Sequence, residues 1–299
     1  MKKVVSISLG SSKRDHAAEI ELMGQRFNVQ RTGTDGSMSK MIRYIQAHDG
    51  HVAAFGLGGM DLYIQAVNRR YTIRDAKKVA EAARITPVVD GSGLKNTLER
   101  RVVEYLASET DILEGGKRVL VVSAMDRFGL SQSLESVGCE MYYGDLAFIL
   151  NVPILLRSLT TLAGFARVLV PFIRLLPFSM IYPTGKKQET SKTRYPHYFL
   201  KSDIIAGDFH FIRRYMPDNL PGKTIITNTV TASDVDMLTS HGVKTLVTTT
   251  PEIKGRSFGT NVMEALLIAY TGSQKELTPN EYNLLLKELD FRPRIMHLQ

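Results

Sequence analysis

The sequence predicts an α/β protein of two domains, an N-terminal α/β substrate domain and a C-terminal Rossmann-like parallel sheet. Three observations carry this. Short β-branched runs ending in glycine or small polar residues alternate with helical stretches, the pattern of parallel strands covered on both faces. The 299 residues match two domains of roughly 100–200 residues each. Hydrophobic residues make up 43% and charged residues 23%, a globular composition that excludes a disordered chain, a collagen repeat and a coiled-coil rod. Residues 1–114 are read as the first domain. Residues 117–276 are the second, carrying an amphipathic insertion at 146–201, and 277–299 form a C-terminal helix and tail.

VVSISL (4–9) is an apolar run that ends in Gly10, Ser11 and Ser12, a strand and tight turn. The apolar run is shorter than the ~7–15-residue core of a signal peptide, so a cytoplasmic protein is expected. Residues 19–33 alternate about Gly24-Gln25 as a hairpin does. Met41, Ile42 and Ile45 have helical spacing within 39–47. HVAAFGLGG (51–59) is a buried strand, and 61–74 alternates about Asn68-Arg69 as a second hairpin. Asp75 is placed to N-cap a helix through Arg84. TPVVDGSG (86–93) is a strand and turn, a helix follows over 94–107, and EGGK (114–117) marks the boundary.

RVLVVSA (118–124) opens the second domain as a strand. A helix over 126–138 ends at Gly138, and CEMYYGD (139–145) is the next strand. Residues 203–207, 223–228 and 243–249 are further strands with helices between them, including 232–240. A helix over 261–272 closes the domain, and a well-capped helix over 277–289 follows.

The net charge of +8 is uneven: residues 157–201 hold eight cations and one acid, and the rest is nearly neutral. Residues 146–183 are apolar, but Arg157, Arg167, Arg174, Pro153, Pro171 and Pro177 interrupt them. The longest uncharged stretches there are 146–156 and 175–185, short of the ~18–20 residues of a membrane span. One or two short amphipathic helices are expected, serving as a lid, a linker, a homo-oligomer contact or a peripheral membrane contact. No nucleic-acid motif accompanies the basic stretch, so no nucleic-acid partner is expected. Cys139, the single cysteine, excludes an internal disulfide and reads as a buried structural thiol. The seven histidines show no metal-ligand spacing, so no metal is expected.

Four sets of loops carry candidate chemistry. In VLVVSAMDRFGLSQSL (119–134) a strand, a turn and a helix start would offer N–H groups to a phosphate, with Ser123, Asp126, Arg127 and Gly129 around it. Asp145 ends the next strand, where a dinucleotide fold holds a ribose hydroxyl, although G-x-G-x-x-G is absent. Asp126 is equally placed as a helix cap, and Asp145 as an exposed strand end. Asn228 and Thr229 end a later strand. Arg256, Ser257, Gly259 and Asn261 crowd before a strong helix, a loop suited to wrapping an anion or a cofactor ring. In the first domain, 10–16, 56–61 and 88–97 follow strands and converge on one crevice. They bring Lys13, Arg14, Asp61, Asp90 and Lys95 together, and a lysine beside an aspartate suits proton transfer at a hydroxyl.

With ITNT at 226–229, GRSFGTN at 255–261 and this domain order, most of the chain resembles the quinate/shikimate 5-dehydrogenase-like family. The resemblance implies oxidation of a ring hydroxyl on a small molecule, with NAD or NADP as cofactor. It also implies a Lys–Asp pair in the first domain, here Lys95 of GSGLKNT with Asp61 or Asp90. The residues leave a second function open: a non-redox α/β protein that holds a phosphorylated ligand, with 146–201 as a membrane-surface or oligomerisation segment.

Overall fold

The computed structural model describes residues 1–66, 69–176, 192–250, 252–253, 256–257 and 259–299. Its first sheet is built around β1 (Lys2–Ser8), whose Val4, Val5 and Ile7 are fully buried because the strand is covered on both faces. β2 (His16–Leu22) pairs antiparallel with β3 (Gln25–Gly33). β3 and β4 (Ala54–Gly58) flank β1 in parallel, and β7 (Val88–Val89) extends the sheet beside β4. The order is β2-β3-β1-β4-β7. The first hairpin turns on Met23-Gly24, both left-handed, one residue before the predicted turn, because a two-residue type I′ turn needs positive φ at both positions. β5 (Tyr63–Ala66) and β6 (Arg69–Thr72) form a second hairpin, separate from the sheet. Ala66 pairs with Arg69, so of the expected Asn68-Arg69 turn Arg69 lies in β6 and Asn68 lies outside the described residues.

α1 (Met38–His48) and α2 (Arg74–Ala80) cover one face of this sheet over Val5, Ile7, Phe55 and Leu57. The start of α2 differs from expectation. Ile73, fully buried, sits at the N-cap position without a side-chain cap bond, and Asp75 lies inside the first turn. Burying Ile73 between α1 and the sheet sets the helix start, and Asp75 still favours it through the macrodipole.

The second sheet has the order β9-β8-β10-β11-β12-β15. Its strands are β8 (Arg118–Val121), β9 (Glu140–Tyr143), β10 (Ile204–Ala206), β11 (Thr224–Thr227), β12 (Thr245–Thr248) and β15 (Arg294–His297). All are parallel except β15, an antiparallel edge strand in what was read as tail. Half-exposed and four residues long, β15 shows no alternation that a sequence reading could use. The order reverses at β8, which lies between β9 and β10. In an open parallel sheet such a switch point opens a crevice at the strands' carboxyl ends. A short pair, β13 (Glu252–Ile253) with β14 (Arg256–Ser257), stands apart.

The helices of the second half are α4 (Phe128–Ser136), α5 (Asp145–Phe148), α6 (Leu159–Ile173), α7 (Pro196–Lys201), α8 (Phe209–Tyr215), α9 (Ala232–Ser240), α10 (Thr260–Thr271) and α11 (Pro279–Glu288). α3 (Ser92–Glu109) runs between the halves and packs on α4, α10 and α11. α10, expected to close the second domain, instead crosses back and packs on β1 and β4. Gly56 permits this: a Cβ there would lie 2.6 Å from the Asn261 carbonyl oxygen. One continuous core results, from Val4, Phe27 and Val89 through Val102, Leu106 and Leu266 to Val119, Val121 and Val247.

In the insertion, Tyr143 bridges to Leu156, and Ala166 and Val170 of α6 pack against Ile64, Tyr71 and Met125. No helix among the described residues is long and apolar enough to cross a membrane.

Candidate functional site

A crevice lies where the turn after β8 meets the start of α3 and the β5–β6 hairpin. Tyr63, Arg70, Ser92, Lys95, Asp126 and Phe128 line it around a cavity of about 30 Å³. Gly91, at φ +92, turns the chain into α3, a left-handed conformation that favours glycine. Lys95 stands one turn into α3, where the macrodipole disfavours a cation, so nearby carboxylates must hold it.

They do. The Lys95 side chain is 15% exposed, and its Nζ donates to Asp126 Oδ1 at 2.7 Å. Burial lowers the ammonium's proton affinity, but the charges of Asp126 and Asp61 raise it further, and its pKa stands above the ordinary lysine value. The pairing with Asp126 thus favours the charged, hydrogen-bond-donating form of Lys95. Its direct partner is Asp126 of the second half, which the sequence assigned to a cofactor. Asp61 adds its charge to that of Asp126.

Asp90 plays a different part from the expected catalytic one. Its Oδ2 accepts from the Leu62 and Tyr63 N–H groups at 2.6 and 3.3 Å, and its Oδ1 from Ser92 N–H and Oγ at 3.0 and 2.6 Å. Four accepted bonds use the capacity of a carboxylate. Asp90 caps α3 and ties the hairpin to it.

Arg127 is 4% exposed and enclosed by acids. It pairs with Glu99 of α3, with Asp208 after β10 at 3.0 Å, and with Asp126 at 3.4 Å. Burial lowers its proton affinity, and the three carboxylates more than offset this. The guanidinium thus spans the switch point as an internal strut, with its charge already compensated. Burial pushes the Glu99 carboxyl above its ordinary value.

The expected phosphate turn is closed in the same way. Asp145 was expected to meet a ribose, but its carboxylate accepts from Ala124 N–H at 3.1 Å and Met125 N–H at 2.9 Å. Burial raises its pKa to about 6 despite those bonds. These are N–H groups that would face a pyrophosphate. At Gly129 a Cβ would lie 2.1 Å from Asn96 Oδ1, so this glycine serves the packing of α4 on α3. Ser123 is buried, and its Oγ has no partner among the described residues. As they stand, these residues do not fit a dinucleotide's pyrophosphate.

Asn228 Nδ2 donates to Asp208 at 2.8 Å, and its Oδ1 accepts from Phe209 N–H at 3.2 Å, which pins the turn after β10. Thr229 meets Thr250 at 3.2 Å. Asn261 Nδ2 donates to Ser6 Oγ at 3.0 Å, so it fixes α10 on the first sheet rather than facing the crevice. Gly259 is the N-cap of α10. The side chains of Arg256 and Ser257 lie outside the described residues. Among the described residues no group of three His, Cys, Asp or Glu could hold a metal. Cys139 is buried, and burial raises its thiol pKa.

Several residues of the crevice were missed. Arg70 stacks over Tyr63 at 3.9 Å and bonds both Glu276 oxygens, at 2.7 and 2.8 Å. Glu99 sits four residues after Lys95, a visible helical pair spacing, and that spacing was the available signal. Asp208, Glu276 and Arg70 had none, because their partners are distant in sequence. Behind the crevice, Glu264 accepts from Gly91 N–H at 2.6 Å and from Tyr282 Oη at 2.5 Å. Burial, with Asp90 and Glu276 nearby, raises its pKa to about 8.

Among solved structures, similarity is found to an ABC transporter solute-binding protein from Burkholderia multivorans, at 12% identity and a TM-score of 0.37, covering 92% of this chain and 96% of that one. A galactofuranose binding protein shows 9% identity and a TM-score of 0.38 over 97% and 99% of the two chains. L-tryptophan dehydrogenase from Nostoc punctiforme shows 13% and 0.37 over 89% and 68%. At such scores the likeness extends no further than the α/β class. No curated protein matches the sequence. Residues 3–90 match a domain of unknown function, DUF8753. Residues 93–298 match another, DUF8754, and by that match, over more than half its length, the chain belongs to the DUF8754 family.

Proposed function

We propose that the protein binds a small, neutral, hydroxyl-rich molecule in the crevice between its halves. The observation that carries this is the Lys95–Asp126 pair, 2.7 Å apart and joining α3 to the turn after β8. A hydroxyl both donates and accepts, so it can bond the ammonium and the carboxylate together. An anion would have to displace Asp126 from Lys95 or Glu276 from Arg70, whereas a neutral ligand inserts without separating charges. A cavity of about 30 Å³ has room for water but not for a sugar. Entry therefore requires the hairpin to part from α3, with Arg70 leaving Ser92 Oγ, now 2.5 Å away.

Calorimetry with a panel of sugars, polyols and hydroxylated ring acids, quinate and shikimate included, tests the reading. At least one neutral member should bind, and Lys95→Met should weaken it about 10- to 100-fold, the loss of a charge-assisted hydrogen bond of about 1.5–3 kcal/mol. Failure of every neutral member at millimolar concentration refutes it.

A second reading, NAD(P)-dependent oxidation of such a hydroxyl, draws on the strand reversal at β8, a place where nucleotides bind in open α/β sheets. It requires Asp145 to release the Ala124 and Met125 N–H groups. Titrating NAD+ and NADP+ against tyrosine fluorescence separates the two readings. Binding of either supports oxidation, and silence at millimolar levels leaves the non-redox reading.

A further inference from the structure

Eight of the thirteen large apolar side chains exposed among the described residues fall between Ile149 and Leu176. Ile149, Leu150, Val152 and Ile154 follow α5. Phe165 and Val168, 43% and 65% exposed, share the outer face of α6, and Leu175 and Leu176 come just after it. The inner face, with Leu162, Ala166 and Val170, is buried. α6 is thus apolar on two sides, and among the described residues only one is packed.

The charge of this stretch selects its occupant. No acid occurs between Asp145 and Glu189, whereas Arg157, Arg167 and Arg174 lie within it. None of the three forms an ion pair among the described residues. Arg157 lies over the Tyr142 ring at 5.0 Å and Arg174 over Tyr71, on the packed side, at 6.0 Å, while Arg167 is exposed. A second copy docked about a two-fold axis would set this basic patch against itself. A neutral apolar partner would leave the arginines uncompensated. An anionic bilayer offers both hydrocarbon to the apolar side chains and phosphate to the exposed Arg157 and Arg167.

We propose that the outer face of α6, with 149–154 and 175–176, docks in the plane of an anionic lipid surface. The inner face rests on Ile64, Tyr71 and Met125, and Met125 adjoins Asp126 in sequence. Docking therefore holds the crevice close to the membrane.

Co-sedimentation of the full chain with phosphatidylcholine vesicles, with and without phosphatidylserine, tests this. Pelleting is expected with the mixed vesicles, at least tenfold weaker with phosphatidylcholine alone, and lost at high salt, where the Debye length shrinks. Phe165→Ser with Val168→Ser should weaken binding to mixed vesicles at least tenfold, as should Arg157→Gln with Arg167→Gln. All four positions lie outside the buried core, so an unchanged circular dichroism spectrum is expected and confirms folding. Absent or charge-independent pelleting, or binding that either folded double variant leaves intact, overturns the proposal. So does light scattering that finds a dimer dissociated by Phe165→Ser with Val168→Ser, which would make the face a contact between copies.

Discussion

The crevice and the insertion carry the chain's arginines in opposite ways. Arg127 is buried and touches three carboxylates drawn from three separate elements. Arg167 is exposed on α6, in a stretch of 43 residues without an acid. The first arrangement spends its charge inside the molecule, and the second leaves it available to an outside partner. A cationic residue in sequence is therefore no guide to ligand binding until its carboxylates are located. Arg127 was expected to meet a phosphate, and its acids already occupy that role.

The largest test of this contrast is Arg127→Met. It strands Glu99 and Asp208 in a buried setting and should cost about 3–5 kcal/mol in urea unfolding. A loss below about 1 kcal/mol, the range of a surface pair, would place Arg127 with the exposed arginines and break the comparison. Next, Gly56→Ala forces a Cβ against the Asn261 carbonyl. The overpacking should cost about 1–3 kcal/mol as α10 is pushed from β4. An unchanged unfolding midpoint would mean that α10 does not hold the halves together.

Glu264 gives a pH test of the buried side. Its folded pKa of about 8 lies above the ordinary carboxyl value, so the folded state keeps a proton that the unfolded chain gives up. Stability from this group is fully present below about pH 4.5 and falls as pH rises to about 8, by up to about 1.4 kcal/mol per pH unit. Glu264→Gln should remove that slope in denaturant titrations run across the interval, and a retained slope would assign it elsewhere. The smallest effect belongs to the insertion. Val168→Ser should change folding stability by less than about 0.5 kcal/mol, as exposed positions do. A larger loss by thermal melting would show that the outer face of α6 is packed.

Much of the fold was legible because strands here are short apolar runs punctuated by glycine. β1, β4 and the helix over 232–240 fall where their residues place them. β15 was not legible, because RIMH at an edge has no alternation to read. The site was legible one residue at a time. Lys95, Asp61, Asp126 and Arg127 were each singled out, yet the pairing of Lys95 with Asp126 and of Arg127 with Glu99 and Asp208 was not. Asp126 was assigned to the cofactor, and Asp90 to catalysis rather than to capping α3. The acids that decide these roles, Glu99, Asp208 and Asp145, lie 28, 81 and 18 positions from Arg127 along the chain.

By itself, then, the sequence determined the α/β class, the order of most elements and an apolar, basic insertion whose first 43 residues, 146–188, hold no acid, because hydrophobic period and charge content are local properties. Only the tertiary structure decided that α10 returns to the first sheet, that Asp145 fills the turn after β8 and that Lys95 meets Asp126. Those outcomes depend on which distant side chains share a buried volume. In that volume an unpaired charge costs several kcal/mol, and the pairing chosen there sets what each residue can do.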